Sequence, residues 1–344
     1  MRKSLAVSIV LTLSILSSPA FSEDTGSIKT NILLRPRAIS DFVTKKSSMD
    51  FDLSGIRVEK NINDNVSGVI FPGFVRTSNF VKNDYVENDF LSFALIEGYF
   101  NFNDITKGYG DANIGMKAGQ FIVPFYNMEQ KYQPYRFIYK PLDYKTLPTN
   151  FADLGLMLYS SFFSKMLDVS FGYITGAGVW NNELREDENN DNTNAGAFMF
   201  TTSFYPFKNG AEAVKELSLT FNWKAVLKAA SRSNCNVLLG YKYRSLATSF
   251  EVLRAYSRIR SKDITATSLG ISYDIYGPFQ AIGRWDYTDN MGATPRLYHF
   301  FLLGMNTKWQ DSKIQAALTY DQDYNPATKA ATAKRLMLAA QFNY

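Results

Sequence analysis

The chain of 344 residues contains one histidine and one cysteine. Zinc, haem and Cys/His catalytic centres need several such side chains, so these classes drop out and no cofactor is expected. Cys235 has no second cysteine to pair with, and it is expected to pack as a small apolar residue. Beyond the first segment no stretch approaches the ~18 continuous apolar residues of a spanning helix. The longest run, Leu297–Met305, is interrupted by His299. A field of one sign is also missing, because 37 basic and 32 acidic residues are interleaved along the chain. The formal charge of +5 therefore builds no nucleic-acid surface, and no nucleic-acid partner is expected.

Aromatic residues are abundant, with 27 Phe, 21 Tyr and 4 Trp in a chain that is 46% hydrophobic. This composition favours strands and supplies a large apolar surface. The first residues have a separate purpose. Arg2 and Lys3 precede the apolar run Leu5–Leu16, and Pro19-Ala20-Phe21-Ser22 sets small residues at the positions a signal peptidase reads. Residues 1–22 are thus expected to be a cleaved secretory signal and residues 23–344 one mature domain.

Along that domain the recurring pattern has a period of two. Cys235, Val237, Leu239, Tyr241 and Tyr243 alternate with Asn234, Asn236, Leu238, Gly240, Lys242 and Arg244. Leu217, Leu219, Phe221 and Trp223 alternate with Ser218, Thr220, Asn222 and Lys224, and Phe279, Ala281, Gly283, Trp285 and Tyr287 with Gln280, Ile282, Arg284 and Asp286. Side chains of a strand point alternately to its two faces, so one face suits lipid and the other suits water.

Such segments are expected at 27–38, 48–60, 65–77, 89–103, 112–121, 152–163, 166–175, 195–205, 216–227, 234–244, 246–256, 263–275, 278–288, 297–308, 312–321 and 332–344, sixteen in all. Tight connections at Asn61–Asp64, Ser164-Lys165, Gly277 and Gln310-Asp311 alternate with mostly longer ones, the longest being Ile122–Phe151 and Gly176–Asn194. Short turns at one end and long loops at the other fit an all-β, antiparallel transmembrane barrel. Lipid offers backbone groups no partner, so such a sheet must close on itself. Leu336, Leu338, Ala340, Phe342 and the terminal Tyr344 form an apolar face opposite Arg335, Gln341 and Asn343, as in the last strand of bacterial outer-membrane proteins. The expected location is the bacterial outer membrane, among its lipid and lipopolysaccharide.

The stretch Met49–Val58, the turn Asn61–Asn65 and Gly115–Phe125 resemble the phosphate-selective porin O/P-like family, and Gly119-Gln120-Phe121-Ile122-Val123-Pro124-Phe125 is the most specific piece. Leu95–Tyr99, Ala152–Gly155 and Phe171–Tyr173 extend the similarity over roughly 48–180. The resemblance implies a homotrimeric diffusion porin of sixteen strands whose long loop, between the fifth and sixth strands, folds into the lumen. Acids such as Glu97, Asp286 and Asp321 share the water-facing phase with the bases, which sets this chain apart from a dense anion path.

A water-filled barrel selects through width and through the charges near its constriction. The 122–151 segment carries Lys131, Arg136, Lys140 and Lys145 against Glu129 and Asp143, with Tyr126, Tyr132, Tyr135 and Tyr139 to line or brace the opening. On the wall, strand phase selects Lys117, Lys224, Lys242, Arg244, Arg284 and Arg335, opposed by Glu97 and Asp286. A weak anion preference for small hydrophilic solutes is the expectation.

Other chemistry is weaker. Asp187, Asn189 and Asp191 have calcium-loop spacing, but Asn192 replaces the required Gly and Phe198 the bidentate Glu. His299 lacks a recognisable serine partner, so no enzyme is expected. The stretch between Glu23 and Ser27 is too short for the plug of a gated receptor. A non-conducting barrel with an adhesin or structural role remains the alternative.

Overall fold

The computed structural model describes residues 28–43, 45–77, 90–105, 113–133, 152–175, 196–227, 233–256, 263–290, 296–309, 314–325 and 330–343. These form β1 (Ile28–Asp41), β2 (Lys46–Asn63), β3 (Val66–Thr77), β4 (Phe90–Phe102), β5 (Asn113–Ile122), α1 (Pro124–Tyr132), β6 (Ala152–Phe162), β7 (Leu167–Ile174) and β8 (Ala197–Phe204). They continue with β9 (Ser218–Val226), β10 (Ser233–Tyr243), β11 (Leu246–Tyr256), β12 (Ile264–Tyr276), β13 (Phe279–Asn290), β14 (Arg296–Trp309), β15 (Ile314–Asn325) and β16 (Ala330–Asn343). Each strand pairs antiparallel with its sequence neighbours, and β1 pairs with β16, so the sheet is a closed barrel of sixteen strands without a free edge. The expected fold class and strand number both hold.

Register turns the period of two into two continuous surfaces. Leu219, Leu239, Phe250, Leu269 and Trp285 are cross-strand neighbours in one row, and the apolar members of that row point outward with ring or branch exposed. One residue along, Thr220, Leu238, Glu251, Ser268 and Asp286 form the inward row. Moving each outward leucine from water to lipid is worth about 1.5–3 kcal/mol, so the barrel is oriented by its outer wall.

The tight turns have the backbone their lengths require. Phe163, Ser164 and Lys165 all adopt left-handed φ between β6 and β7, as does Gly277 between β12 and β13. The Asn63 side chain accepts the Asn65 N–H at 2.9 Å to close the β2–β3 turn. Two details of the expected parity are corrected. Strands β1 and β2 run on until only residues 42–45 separate them at the long-loop end, and the 103–112 and 205–217 connections are long ones at the short-turn end. The turn expected at Gln310-Asp311 lies outside the described residues.

The Gly-Gln-Phe-x-x-Pro-Phe stretch has a local cause. Ile96 is an extra residue of β4 opposite the Phe71-Pro72 step of β3, and Pro72 has no N–H for the ladder. Gln120 Nε2 donates to the carbonyls of Leu95 and Ile96 at this bulge. Gly119 has φ of 124°, and a Cβ there would lie 2.3 Å from the Gly98 carbonyl oxygen. Phe121 is then buried inside, and Pro124 occupies the first turn of α1, where its missing N–H costs nothing.

Candidate functional site

The long connection after β5 begins inside the barrel. Phe125, Glu129 and Tyr132 are spaced on one face of α1 and are all buried. Phe125 and Tyr132 pack with Leu238 of β10, with Met128 at their edge, while Tyr126 packs on Phe71, Ile96 and Ala152 and on the Phe121–Met157 cluster. The helix therefore lies along the inner wall from β5 to β11. Gly240 makes room for it: a Cβ at that position would stand 2.3 Å from the Tyr132 ring.

The far end of α1 is tied to the 205–217 connection. Lys131 Nζ meets Glu216 Oε2 at 2.6 Å and lies over the Tyr205 ring, 4.7 Å from its centroid. The Tyr132 hydroxyl donates to the Glu216 carbonyl at 3.2 Å, and the Tyr205 hydroxyl to Met128 Sδ at 3.5 Å. Burial works against the charge of Lys131, yet its hydrogen bond to Glu216 and the nearby Tyr132 and Tyr205 raise its pKa above the ordinary value. The same hydrogen bond holds the Glu216 carboxyl below its ordinary range, helped by Lys208 and Lys242. Burial pushes the Tyr205 hydroxyl up to about 12. Just past α1, Gln133 donates to Ser249 Oγ at 3.0 Å and accepts from Arg284 Nη1 at 3.1 Å.

Charges on the wall are mostly answered by neighbours. Arg284 Nε stands 2.7 Å from Asp286 Oδ1, which also accepts from Ser268 Oγ at 2.6 Å. Arg335 Nε meets Asp321 Oδ1 at 2.6 Å across β15 and β16. On the β2–β5 side, Arg57 reaches Glu59 at 2.8 Å and Glu97 at 3.6 Å. Lys117 projects inward over two rings, 5.2 Å from the Tyr99 centroid and 5.8 Å from that of Tyr159.

The sequence-selected residues thus separate into groups. Glu97 and Lys117 sit together on the β4–β5 wall; Lys131 and Lys242 flank Glu216; Arg284 is locked in a buried pair. Arg244 is corrected: β10 ends at Tyr243, and Arg244 takes φ of 48° in the following turn with its guanidinium over the Tyr243 ring. The strand phase had been extended one residue too far. Tyr135, Arg136, Lys140 and Lys145 lie outside the described residues, as does the Asp187–Asp191 segment. Sequence phase passed over Arg57, Glu59, Tyr99 and Tyr159, although Arg57 and Glu59 share the inward phase of β2 and Tyr99 that of Glu97. Glu216 opens the expected strand 216–227 on its water-facing phase but was not singled out, and in the structure it lies in the connection before β9.

No protein-family model matches the sequence, and no curated protein matches it either. Solved structures do share its architecture. The outer membrane channel DcaP of Acinetobacter baumannii superposes with a TM-score of 0.62 at 11% identity, over 94% of this chain and 99% of that one. OmpF of Salmonella typhi gives 0.62 at 8% identity, over 94% and 99%. OccK2 of Pseudomonas aeruginosa, solved with glucuronate, gives 0.52 at 9% identity, over 92% and 98%. The resemblance of residues 48–180 to the phosphate-selective family is not carried by these comparisons. At such identities the likeness is one of fold: the chain has the closed sixteen-stranded architecture of outer-membrane barrels.

Proposed function

We propose that this chain is an outer-membrane porin, exported by a signal at residues 1–22, through which small hydrophilic solutes diffuse passively. One observation carries the reading: the barrel is apolar outside and polar inside, with a helix from the β5–β6 connection laid along the inner wall. Such a wall needs lipid around it and holds water within. The channel fold shared with DcaP and OmpF supports the same reading. A homotrimer and contact with lipopolysaccharide are part of the proposal, the trimer resting on the family resemblance of residues 48–180.

Selectivity is weak in this account. Arg57, Lys131, Arg284 and Arg335 each face a carboxylate within the lumen, which cancels much of their field. Among the described residues, Lys117 and Lys242 also lie near carboxylates, Glu97 and Glu216, so any anion preference is slight. The competing reading, a non-conducting barrel with an adhesin or structural role, is favoured by the near-zero exposure of the inward Asn236, Glu251, Ser268 and Asp321, as in a filled interior.

Purified protein in a planar bilayer under a salt gradient decides between them. A porin gives stepwise ohmic currents with a reversal potential close to zero or slightly anion-leaning. Absence of conductance establishes the filled barrel instead.

A further inference from the structure

Around Lys117 on the β2–β5 wall, a cluster of four charged groups balances to zero: Arg57 and Lys117 against Glu59 and Glu97. Register brings them together, because Glu59, Val69, Tyr99 and Gly119 are successive cross-strand partners and Lys117 lies two residues from Gly119 on the same inward face. Most of the hydrogen-bonding capacity here is used. Arg57 is held by Glu59, Glu97 and the Tyr99 hydroxyl, and the Tyr159 hydroxyl by Asn101 and Asn103 at 2.8 and 3.1 Å. Lys117 is different. Its ammonium has the two ring faces below it and, among the described residues, makes no hydrogen bond or ion pair, so its N–H donors remain available to a ligand. Glu59 uses one carboxylate oxygen on Arg57 and is about a third exposed, which leaves acceptor capacity facing the lumen.

We propose, building on the porin reading, that this cluster is a subsite for small zwitterions such as free amino acids, with Lys117 taking the carboxylate and Glu59 the ammonium. The cancelled net charge is the reason. A monoanion drawn to Lys117 meets the fields of Glu59 and Glu97, and a dianion such as phosphate meets them twice over. A molecule carrying both charges finds a complementary partner for each, whereas a monoanion engages Lys117 and leaves Glu59 without a ligand charge to meet. The tyrosine faces hold the ammonium of Lys117 in place without neutralising it.

The test uses the full mature chain in proteoliposomes and three solutes of one skeleton: alanine, lactate and 1,2-propanediol. Alanine uptake is expected to saturate near about millimolar concentration, with lactate and propanediol uptake rising linearly. Lys117→Gln and Glu59→Gln should each lower the alanine-to-propanediol uptake ratio at least about threefold, whereas Lys117→Arg retains more than half of it. Lys334→Gln, an exposed change near the start of β16, serves as the unaltered control. Linear alanine uptake overturns the subsite. So does saturation by lactate rather than alanine, which would make Lys117 a simple anion contact. If propanediol enters while alanine shows no preference, the subsite fails and the porin stands; if no solute enters, the porin reading itself falls.

Discussion

At the scale of single residues, the inner charges separate into exposed pairs and buried ones, and these respond differently to change. Lys131 and Glu216 are each about a third exposed, so their pair contributes roughly 0.2–1 kcal/mol to holding α1. Glu216 titrates below its ordinary value, so the pair is complete above about pH 4.3 and is lost as pH falls through the depressed pKa. Lys131 titrates above its ordinary value, so at the alkaline side the pair is complete below about pH 10.4 and is lost as pH rises through the raised pKa. Single-channel conductance is therefore expected to change on the acid side as Glu216 takes up its proton, below the ordinary carboxylate range. In Glu216→Gln that acid step should become smaller. The Arg284–Asp286 pair is near 1% exposed on both sides. Replacing Asp286 by Ala takes the carboxylate away from a buried guanidinium and should cost up to about 3–5 kcal/mol, read from the denaturant midpoint of the refolded protein in detergent. A cost below about 1 kcal/mol would show that this part of the lumen is wet.

At the scale of elements, α1 is the helix that packs on the inner wall among the described residues. Its seat depends on the missing side chain at Gly240, since a Cβ there meets the Tyr132 ring at 2.3 Å. Gly240→Val should displace the helix from β10 and alter conductance, while heat-dependent migration in gels still reports a folded barrel. How much of this was legible in the sequence differs by element. The alternation in β9, β10 and β13 fixed which residues face lipid, because the period of a strand is invariant and one face must be apolar. It failed at Arg244 because phase says nothing about where a strand stops. Lys131 was legible as a lumen residue but not as a paired one. Its partner Glu216 is 85 positions away at the edge of another strand, and only the closed barrel brings them together. Tyr99 and Tyr159 were legible in phase yet unremarkable, until the fold placed one lysine over both rings.

For the whole molecule, closure is what makes an outward apolar surface and an inward polar one compatible in one chain. The outward Leu239 is a sensitive reporter of that arrangement: Leu239→Arg on the lipid face should cost about 2–4 kcal/mol near the midplane, whereas a charge at an inward position changes permeation before stability. Equal destabilisation on both faces would contradict the assignment of faces. The central claim is that a water-filled path runs through this barrel and that α1 narrows it. Its most direct test is the single-channel conductance of the parent protein beside a variant in which Phe125, Met128 and Tyr132 are all changed to Ala, which releases the helix from Leu238 and the 205–217 connection. The account predicts a folded barrel whose conductance rises by about twofold or more. Equal conductance in the two proteins would remove α1 from the constriction, and silence in both would remove the channel.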